Sequence, residues 1–388
     1  MTDKLGRYYT EDRISKLLVS SFLKKNPKII FELGVGRGSL IKAAYKRWRD
    51  ASFVAYDVDS TNFSYVKNKI EHISIHRSNC LEDPADELES EIGVDIAVCN
   101  PPFKKLKKKL PQHEKLLLDT GFNLTNSIKE ITTDIIFLVK NLRLLSPDGE
   151  LGIILPDTLL TGDKYKKFRQ DLVRNSTIKS IIQLPPKIFK KTEALTHIVT
   201  LKNKKTKSYK VPLKLSNKQG IITSQLVIDS KDLIERMDFN YFKMKKRIKC
   251  NGRSLSELGA EIFRGALSKA KLKEVLGVNN FFHLSDFDNK KFNTKKEYKT
   301  ISKYAIKGDI IISRIGKRSL GKITYIETGS IEISDCVFVI RIESHYRKSV
   351  LKALKSKYGK DWVKAKAHGV CSQFITKSDL LSFKVPGT

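Results

Sequence analysis

The 388 residues suffice for two domains, and with 40% of them hydrophobic the chain can bury a sizeable core. Against 42 Asp plus Glu stand 74 Lys plus Arg, a formal charge of +32; on a foldable chain this favours a polyanion, with nucleic acid expected ahead of a membrane surface. There is no apolar run of bilayer length, the start Met1-Thr2-Asp3-Lys4-Leu5-Gly6 is polar, and Cys80, Cys99, Cys250, Cys336 and Cys371 form no C-x-x-C pair, so the expected setting is a reducing cytoplasm, with no secretion signal and no metal site.

Tyr8-Tyr9-Thr10 leads into Glu11-Asp12-Arg13-Ile14, and Leu17, Leu18 and Phe22 continue a helical apolar spacing with Thr10 as the expected N-cap. Lys28 to Leu33 reads as a buried strand, Gly34-Val35-Gly36-Arg37-Gly38 as a tight turn, and Ser39 to Trp48 as a helix. A second strand, Phe53 to Asp57, ends in an acid, the place from which a doubly wound fold bonds ribose hydroxyls. The glycines are spaced G-x-G-x-G, whereas a dinucleotide site usually has G-x-G-x-x-G with its third glycine opening the helix against pyrophosphate; this favours S-adenosylmethionine over NAD, with Glu32 near the methionine end and Asp57 on the ribose.

Ile73 to Ile75 predicts a third strand running into Ser78-Asn79-Cys80-Leu81, beside the adenine. The fourth, Val94 to Cys99, runs into Asn100-Pro101-Pro102-Phe103 and the basic stretch Lys104-Lys105-Leu106-Lys107-Lys108-Lys109. Proline lacks an N–H and biases its predecessor toward extended backbone, so this tetrad offers a carboxamide, backbone carbonyls and a flat ring at one sheet edge. Such a site can accept hydrogen bonds from an amino group while its ring stacks. Thr133 to Leu145 then reads as a helix, Ser146 to Gly149 as a turn, Leu151 to Pro156 as a strand and Tyr165 to Val173 as a helix. Ile178 to Leu184 reads as a strand, Pro185 to Phe189 as a loop, and Ala194 to Leu201 as the last strand, carrying His197 as a structural residue. The alternation predicts an open α/β sheet with ligands at the carboxyl ends of its strands.

Phe31 to Gly38, Asp57, the Asn79 loop, Asn100-Pro101-Pro102-Phe103 and the Phe189 loop, in that order, resemble the gamma-class DNA N6-adenine methyltransferases, including type I modification subunits, over about residues 5 to 205. The chain departs from that family in having Glu11 where a proline commonly follows the N-terminal threonine, and Asn79 where Asp is frequent. The resemblance implies a Rossmann-like S-adenosylmethionine-dependent sheet, with Tyr9, Thr10, Glu32, Gly34, Gly36, Gly38, Asp57, Asn79 and Asn100 on the cofactor. It further implies that Asn100 and the Pro101 carbonyl accept both N6 hydrogens of a flipped adenine, within the tetrad closed by Pro102 and Phe103, and that Phe103 and Phe189 stack on its two faces. Cys80 and Cys99 are then bystanders, and Lys104, Lys105, Lys107 and Lys108 are placed for phosphates.

Lys202 to Ser208 is polar and basic, which sets a boundary: a catalytic domain at 1–205, a connecting region at 206–250 and a second, α+β domain at 251–388. The second domain is similar to a target-recognition domain of type I specificity subunits, through Ile262-Phe263-Arg264-Gly265, strands near 309–314, 322–326 and 334–341, a basic helix from Tyr346 to Tyr358, and His368 to Ile375. Arg264, Arg314, Lys317, Arg318 and Gln373 are its candidate contacts to double-stranded DNA. The expectation is a DNA adenine-N6 methyltransferase that modifies without cutting. An RNA adenine or protein glutamine-N5 methyltransferase and a non-catalytic DNA-binding scaffold are the alternatives, and oligomeric state and any restriction or defence-system partner stay open.

Overall fold

Short β-branched runs alternate with amphipathic helices through the first half, and the computed structural model turns that alternation into one layered sheet. It describes residues 10–82, 93–106, 110–124, 131–189, 195–248, 250–278, 280–289, 294, 303–369 and 372–388. The first unit contains α1 (Asp12–Ser20), β1 (Ile29–Leu33), α2 (Ser39–Arg47), β2 (Ser52–Asp57), α3 (Phe63–Lys67), β3 (Ile73–Arg77), β4 (Val94–Cys99) and α4 (Pro111–Asp119). It continues with α5 (Thr133–Leu144), β5 (Leu145–Pro156), α6 (Asp157–Thr161), α7 (Lys166–Asn175), β6 (Thr177–Gln183), β7 (Thr196–Lys202), β8 (Lys210–Ser216) and β9 (Ile222–Asp229).

All nine strands join one sheet in the order β3-β2-β1-β4-β5-β7-β6-β8-β9. β1 is parallel to both β2 and β4, so the winding reverses between β1 and β4 and leaves a crevice at their carboxyl ends. β7 runs antiparallel to β5 and β6. The expected turn at Ser146–Gly149 is absorbed into β5 as a bulge: Val94 pairs with Leu145 and Ile96 already with Glu150. On one face α1 lies directly on β5 because Gly152 has no side chain; a Cβ there would come within 2.6 Å of Phe22 and 2.8 Å of Leu18. Ile14, Leu18, Phe22, Ile41 and Ala44 close this side of the core against Ile30, Ile96 and Ile154.

Two expectations need correction here. Glu11, not Thr10, precedes α1 as its N-cap, without a side-chain cap. The sheet also does not end near residue 205: β8 pairs with β6 and β9 with β8, so the expected connecting region supplies two strands of the sheet, and the unit reaches Phe239. Alternating burial on β8 and β9 is the pattern of half-buried strands at a sheet margin, and the basic stretch before them is only a surface turn. A buried clasp holds this extension. The Arg169 guanidinium on α7, 1% exposed, donates to the carbonyls of Leu159, Gly162, Ile234 and Glu235 at 2.7–3.2 Å. The Met237 N–H adds a bond to the Leu160 carbonyl at 3.0 Å.

His197, as expected, is structural: it is fully buried on β7 and donates through Nε2 to Asp157 at 2.9 Å. Burial pushes the Asp157 carboxyl up, but the His197 bond and the nearby charges of His197 and Arg236 hold it below its ordinary range.

The second unit, Asn240–Thr388, follows from α8 (Phe239–Arg247) through β10 (Arg253–Ser254), β11 (Glu261–Arg264), α9 (Lys269–Leu276), β12 (Phe281–Phe282), α10 (Asp286–Asn289), β13 (Tyr304–Ile306) and β14 (Ile310–Ser313). β15 (Ile323–Tyr325), β16 (Ser330–Ile333), β17 (Val337–Arg341), α11 (Ser344–Lys355), α12 (Lys357–Lys366), α13 (Lys377–Leu381) and β18 (Lys384–Val385) complete it. Its main sheet runs β11-β17-β14-β15, with β12-β16-β13 and β10-β18 beside it, the α+β composition expected. Among the described residues no helix is long and apolar enough to cross a membrane.

Candidate active site

The strand ends that flank the reversal point converge on a cavity of about 650 Å³. β1 contributes Glu32 and the following Gly34, Val35 and Gly36; β2 contributes Asp57 and Val58; the turn after β3 contributes Ser78 to Glu82; and β4 contributes Asn100 and Pro102. Gly34, Gly36 and Gly38 have φ of 77°, 48° and 69°, left-handed values that residues with a Cβ rarely adopt. Gly38 serves the turn itself: it precedes α2 as N-cap and lies outside the cavity wall, where a Cβ would come within 3.0 Å of Val66.

Asp57 is 5% exposed, and its two oxygens accept the Gly36 N–H at 2.7 Å and the Asp59 N–H at 2.9 Å. A carboxylate has about four acceptor positions, so the glycine turn is locked while acceptor capacity is left over. Glu32 is 2% exposed and accepts the Ile41 N–H at 3.0 Å. Burial pushes its carboxyl well above the usual range, and the nearby Asp57 adds to this. Asn79 folds back on its own turn, its Oδ1 accepting the Leu81 N–H at 3.3 Å.

The tetrad is pinned from two sides. The Asn100 amide donates from Nδ2 to the Thr10 hydroxyl at 2.9 Å, which directs Oδ1 as the acceptor of that carboxamide. Thr10, expected as a helix cap, is therefore a tetrad partner; it lines the cavity too. From the other side Thr133, at the start of α5, donates its hydroxyl to the Pro102 carbonyl, and its N–H bonds the Lys104 carbonyl at 2.9 Å. Pro101 is buried and Phe103 half-buried against the sheet core. Phe189, the expected second stacking ring, is 2% exposed within the same core cluster. The structure does not bring it to the cavity, because the apolar neighbours Leu184 and Ile188 draw it inward.

Lys104 and Lys105 do reach the cavity wall; Tyr9, Lys107 and Lys108 lie outside the described residues. Cys80 lines the cavity and Cys99 lies buried beneath it. Burial pushes the Cys99 thiol well up, away from any nucleophilic use. Sequence reasoning missed Thr133 and Phe137, one helical turn apart on α5, and His113 on α4, all on the cavity wall. The i, i+4 spacing of Thr133 and Phe137 was the available signal; for His113 there was none.

Asp134, beside Thr133, is 2% exposed, and burial raises its carboxyl to about 6 against the hydrogen bond it accepts from the Ile135 N–H at 3.1 Å. Between about pH 4 and 6 the unfolded chain gives up a proton that the folded chain keeps, so stability falls as pH rises through this window and is level above it. Asp134→Asn should therefore be more stable than the parent by about 2–3 kcal/mol at pH 8 and nearly equal to it at pH 4. Urea unfolding at the two pH values checks this; a pH-independent difference would refute it.

In the second unit Arg264 and Arg314 lie at one end of the main sheet, with Lys317 and Arg318 in the turn that follows and Gln373 in the segment joined to it by backbone hydrogen bonds. Arg264 ends β11 and Arg314 follows β14, both beside the start of β17. Gly316 donates its N–H to the Gln373 carbonyl at 2.9 Å, and Ile375 donates to the Arg314 carbonyl at 2.9 Å. Lys317, Arg318 and Gln373 are exposed. Arg314 is more committed: it donates to the Asp335 carbonyl at 3.1 Å and lies 5.7 Å from the Phe338 ring centre. Burial, then the Arg264 charge, lowers its pKa.

A family model described as N-6 DNA Methylase matches residues 1–249. The chain is 24% identical over 309 residues to the type II methyltransferase M.BsuBI of Bacillus subtilis, covering 70% of this chain and 60% of that protein. It is 24% identical over 224 residues to the type I restriction enzyme MpnII methylase subunit of Mycoplasma pneumoniae, covering 52% of this chain and 41% of that one. It thus spans three-fifths or less of the length of these relatives. Among solved structures, the type IIG restriction endonuclease BpuSI superimposes over 98% of this chain and 59% of its own, with a TM-score of 0.55 and 13% identity, a likeness of fold.

Proposed function

The chain belongs to the N-6 DNA methylase family, and from that premise we propose that it methylates the N6 of adenine in double-stranded DNA, with S-adenosylmethionine as donor. One observation carries the reading: the Asp57-anchored glycine turn and the Thr10-anchored Asn100 open into the same cavity. A methyl donor and an amino acceptor held there would meet.

The residues fit such a donor. Asp57 has acceptor capacity left for ribose hydroxyls, Val58 and Leu81 offer apolar surface for a purine, and Asn79 offers an amide. Gly34, Gly36, Glu32 and Thr10 would surround the amino-acid end. When bound, S-adenosylmethionine supplies an electrophilic methyl on a sulfonium.

The amino group of adenine is a weak nucleophile because its lone pair is delocalised into the ring. Asn100 Oδ1 and the Pro101 carbonyl accept its two hydrogens, so the lone pair is turned toward the donor and the charge that develops on nitrogen is supported. The adenine leaves the duplex to reach them, and Phe103, which packs against the core beside the cavity, would turn toward it to take one of its faces. Phe189 would join only if the 185–189 segment turned its ring out of the core. Lys104 and Lys105 neutralise phosphates at the cavity, and Arg264, Lys317, Arg318 and Gln373, with Arg314 bracing them, read the duplex from the second unit.

The test has two arms. Full-length protein, labelled S-adenosylmethionine and a mixed-sequence duplex should yield N6-methyladenine; label in RNA or in a peptide glutamine instead would overturn the substrate class. Calorimetric titration with S-adenosylhomocysteine should show binding that Asp57→Ala weakens by roughly 30-fold or more, the loss expected from a charge-assisted hydrogen bond and the anchor of the turn. Equal affinities would remove Asp57 from the cofactor site.

A further inference from the structure

His113 is the best-placed group that the proposed transfer leaves unused. It lies on α4, is 1% exposed, and is on the cavity wall. Its Nδ1 accepts the Leu110 N–H at 3.3 Å, and its Nε2 lies 2.6 Å from the Leu81 carbonyl. A carbonyl only accepts and a backbone N–H only donates, so the two contacts together select the neutral imidazole with the proton on Nε2. Both ring nitrogens are thereby spent on backbone, which removes His113 as an acid or base.

The two segments that it joins are distant in sequence and adjacent in the cavity. Leu81 belongs to the turn after β3 that Asn79 closes, with the Glu82 N–H on the Asn79 carbonyl at 2.8 Å and the Leu81 N–H on its side chain. Leu110 opens α4, downstream of the tetrad, and both leucines line the cavity. Gln112, the neighbour of His113, adds a parallel tie from Nε2 to the Glu82 carbonyl at 2.7 Å. One helix therefore grips the backbone of two successive residues of that turn.

We infer that His113 is a positioning residue, which through its Nε2–H bond to Leu81 holds the Asn79–Glu82 turn against α4 and so shapes the wall that receives the adenosine part of the cofactor. The inference rests on the proposed function for the identity of that ligand. A dissected histidine distinguishes this role from simple core filling: glutamine keeps a donor near the place of Nε2, whereas asparagine keeps an acceptor near Nδ1 and is too short for Leu81.

The experiment is calorimetric titration of S-adenosylhomocysteine into the full-length parent, His113→Gln, His113→Asn and Gln112→Ala, with thermal unfolding of each. His113→Asn should weaken binding by roughly 10- to 30-fold and His113→Gln by no more than about 3-fold, as expected for loss or retention of one buried hydrogen bond. Gln112→Ala, which changes a half-buried surface residue, should fold like the parent and weaken binding by about 2- to 5-fold; it carries the test if His113→Asn does not fold. Glutamine and asparagine variants of equal affinity, or three variants that bind like the parent, would overturn the assignment. A parent that does not bind S-adenosylhomocysteine would instead take down the proposed cofactor, a different and separately visible result.

Discussion

Asn100→Ala is expected to lower methyl transfer to duplex DNA by about 10²–10³-fold or more at saturating cofactor, with S-adenosylhomocysteine affinity held within about 3-fold. The side chain is the tetrad's only carboxamide, and the Thr10 hydroxyl already takes its Nδ2–H, so the oxygen is the end left to act on an amino group. Alanine deletes that acceptor without disturbing the Asp57 anchor of the glycine turn or the Thr133 clasp on Pro102. The loss should therefore fall on turnover and not on cofactor binding. Thr10→Val, nearly isosteric, keeps the carboxamide but releases its orientation, and should fall between the parent and Asn100→Ala. Single-turnover rates with a saturating duplex separate the effects. An alanine variant that transfers methyl at the parental rate would remove Asn100 from the chemistry.

Arg169→Met should cost about 3–5 kcal/mol of folding stability, because it withdraws a charged donor from four backbone carbonyls, of which that of Gly162 keeps the Tyr165 N–H. Burial lowers the Arg169 pKa to about 10, with Arg236 adding to the effect, so the group is charged at neutral pH and each of the four bonds is charge-assisted. Methionine fills the volume but donates nothing. For a unit of this size the loss corresponds to a fall in thermal midpoint of roughly 10 °C. Arg169→Lys, with a point charge and no planar fork, should be intermediate. The decisive measurement is the midpoint of the full chain; a shift below about 2 °C for Arg169→Met would show that the clasp contributes little.

Arg169 also explains why the first unit is longer than the sequence suggested. Lys202 to Ser208 has the composition of a linker, and composition was the only boundary signal on offer. The clasp joins residues near 160 to residues near 235 through backbone carbonyls, and any residue type supplies a carbonyl, so nothing in the chain advertises it. The same reason hid His113, whose partners are the backbones of Leu81 and Leu110. Thr10 was legible as a polar residue before a helix but not as a partner of Asn100, which lies far along the chain. Phe189 was legible as an aromatic ring in the right order; whether it faces the cavity or the core depended on Leu184 and Ile188 around it.

By itself the sequence determined the elements that local physics controls. Period-two and period-3.6 apolar patterns set the strands and helices of the sheet, left-handed glycines set the turn after β1, and Asp57 and Asn100-Pro101-Pro102-Phe103 at strand ends set the chemical character of the site. Those features act within a few residues of themselves, so they can be read in one dimension. The tertiary structure alone decided which side chains share a wall, which aromatic ring stays in the core, and where the sheet stops, because each of these is a contest between distant partners for the same space or the same hydrogen bond. Asn100 belongs to both accounts: its chemistry was written in the chain, and its orientation, through Thr10, only in the fold.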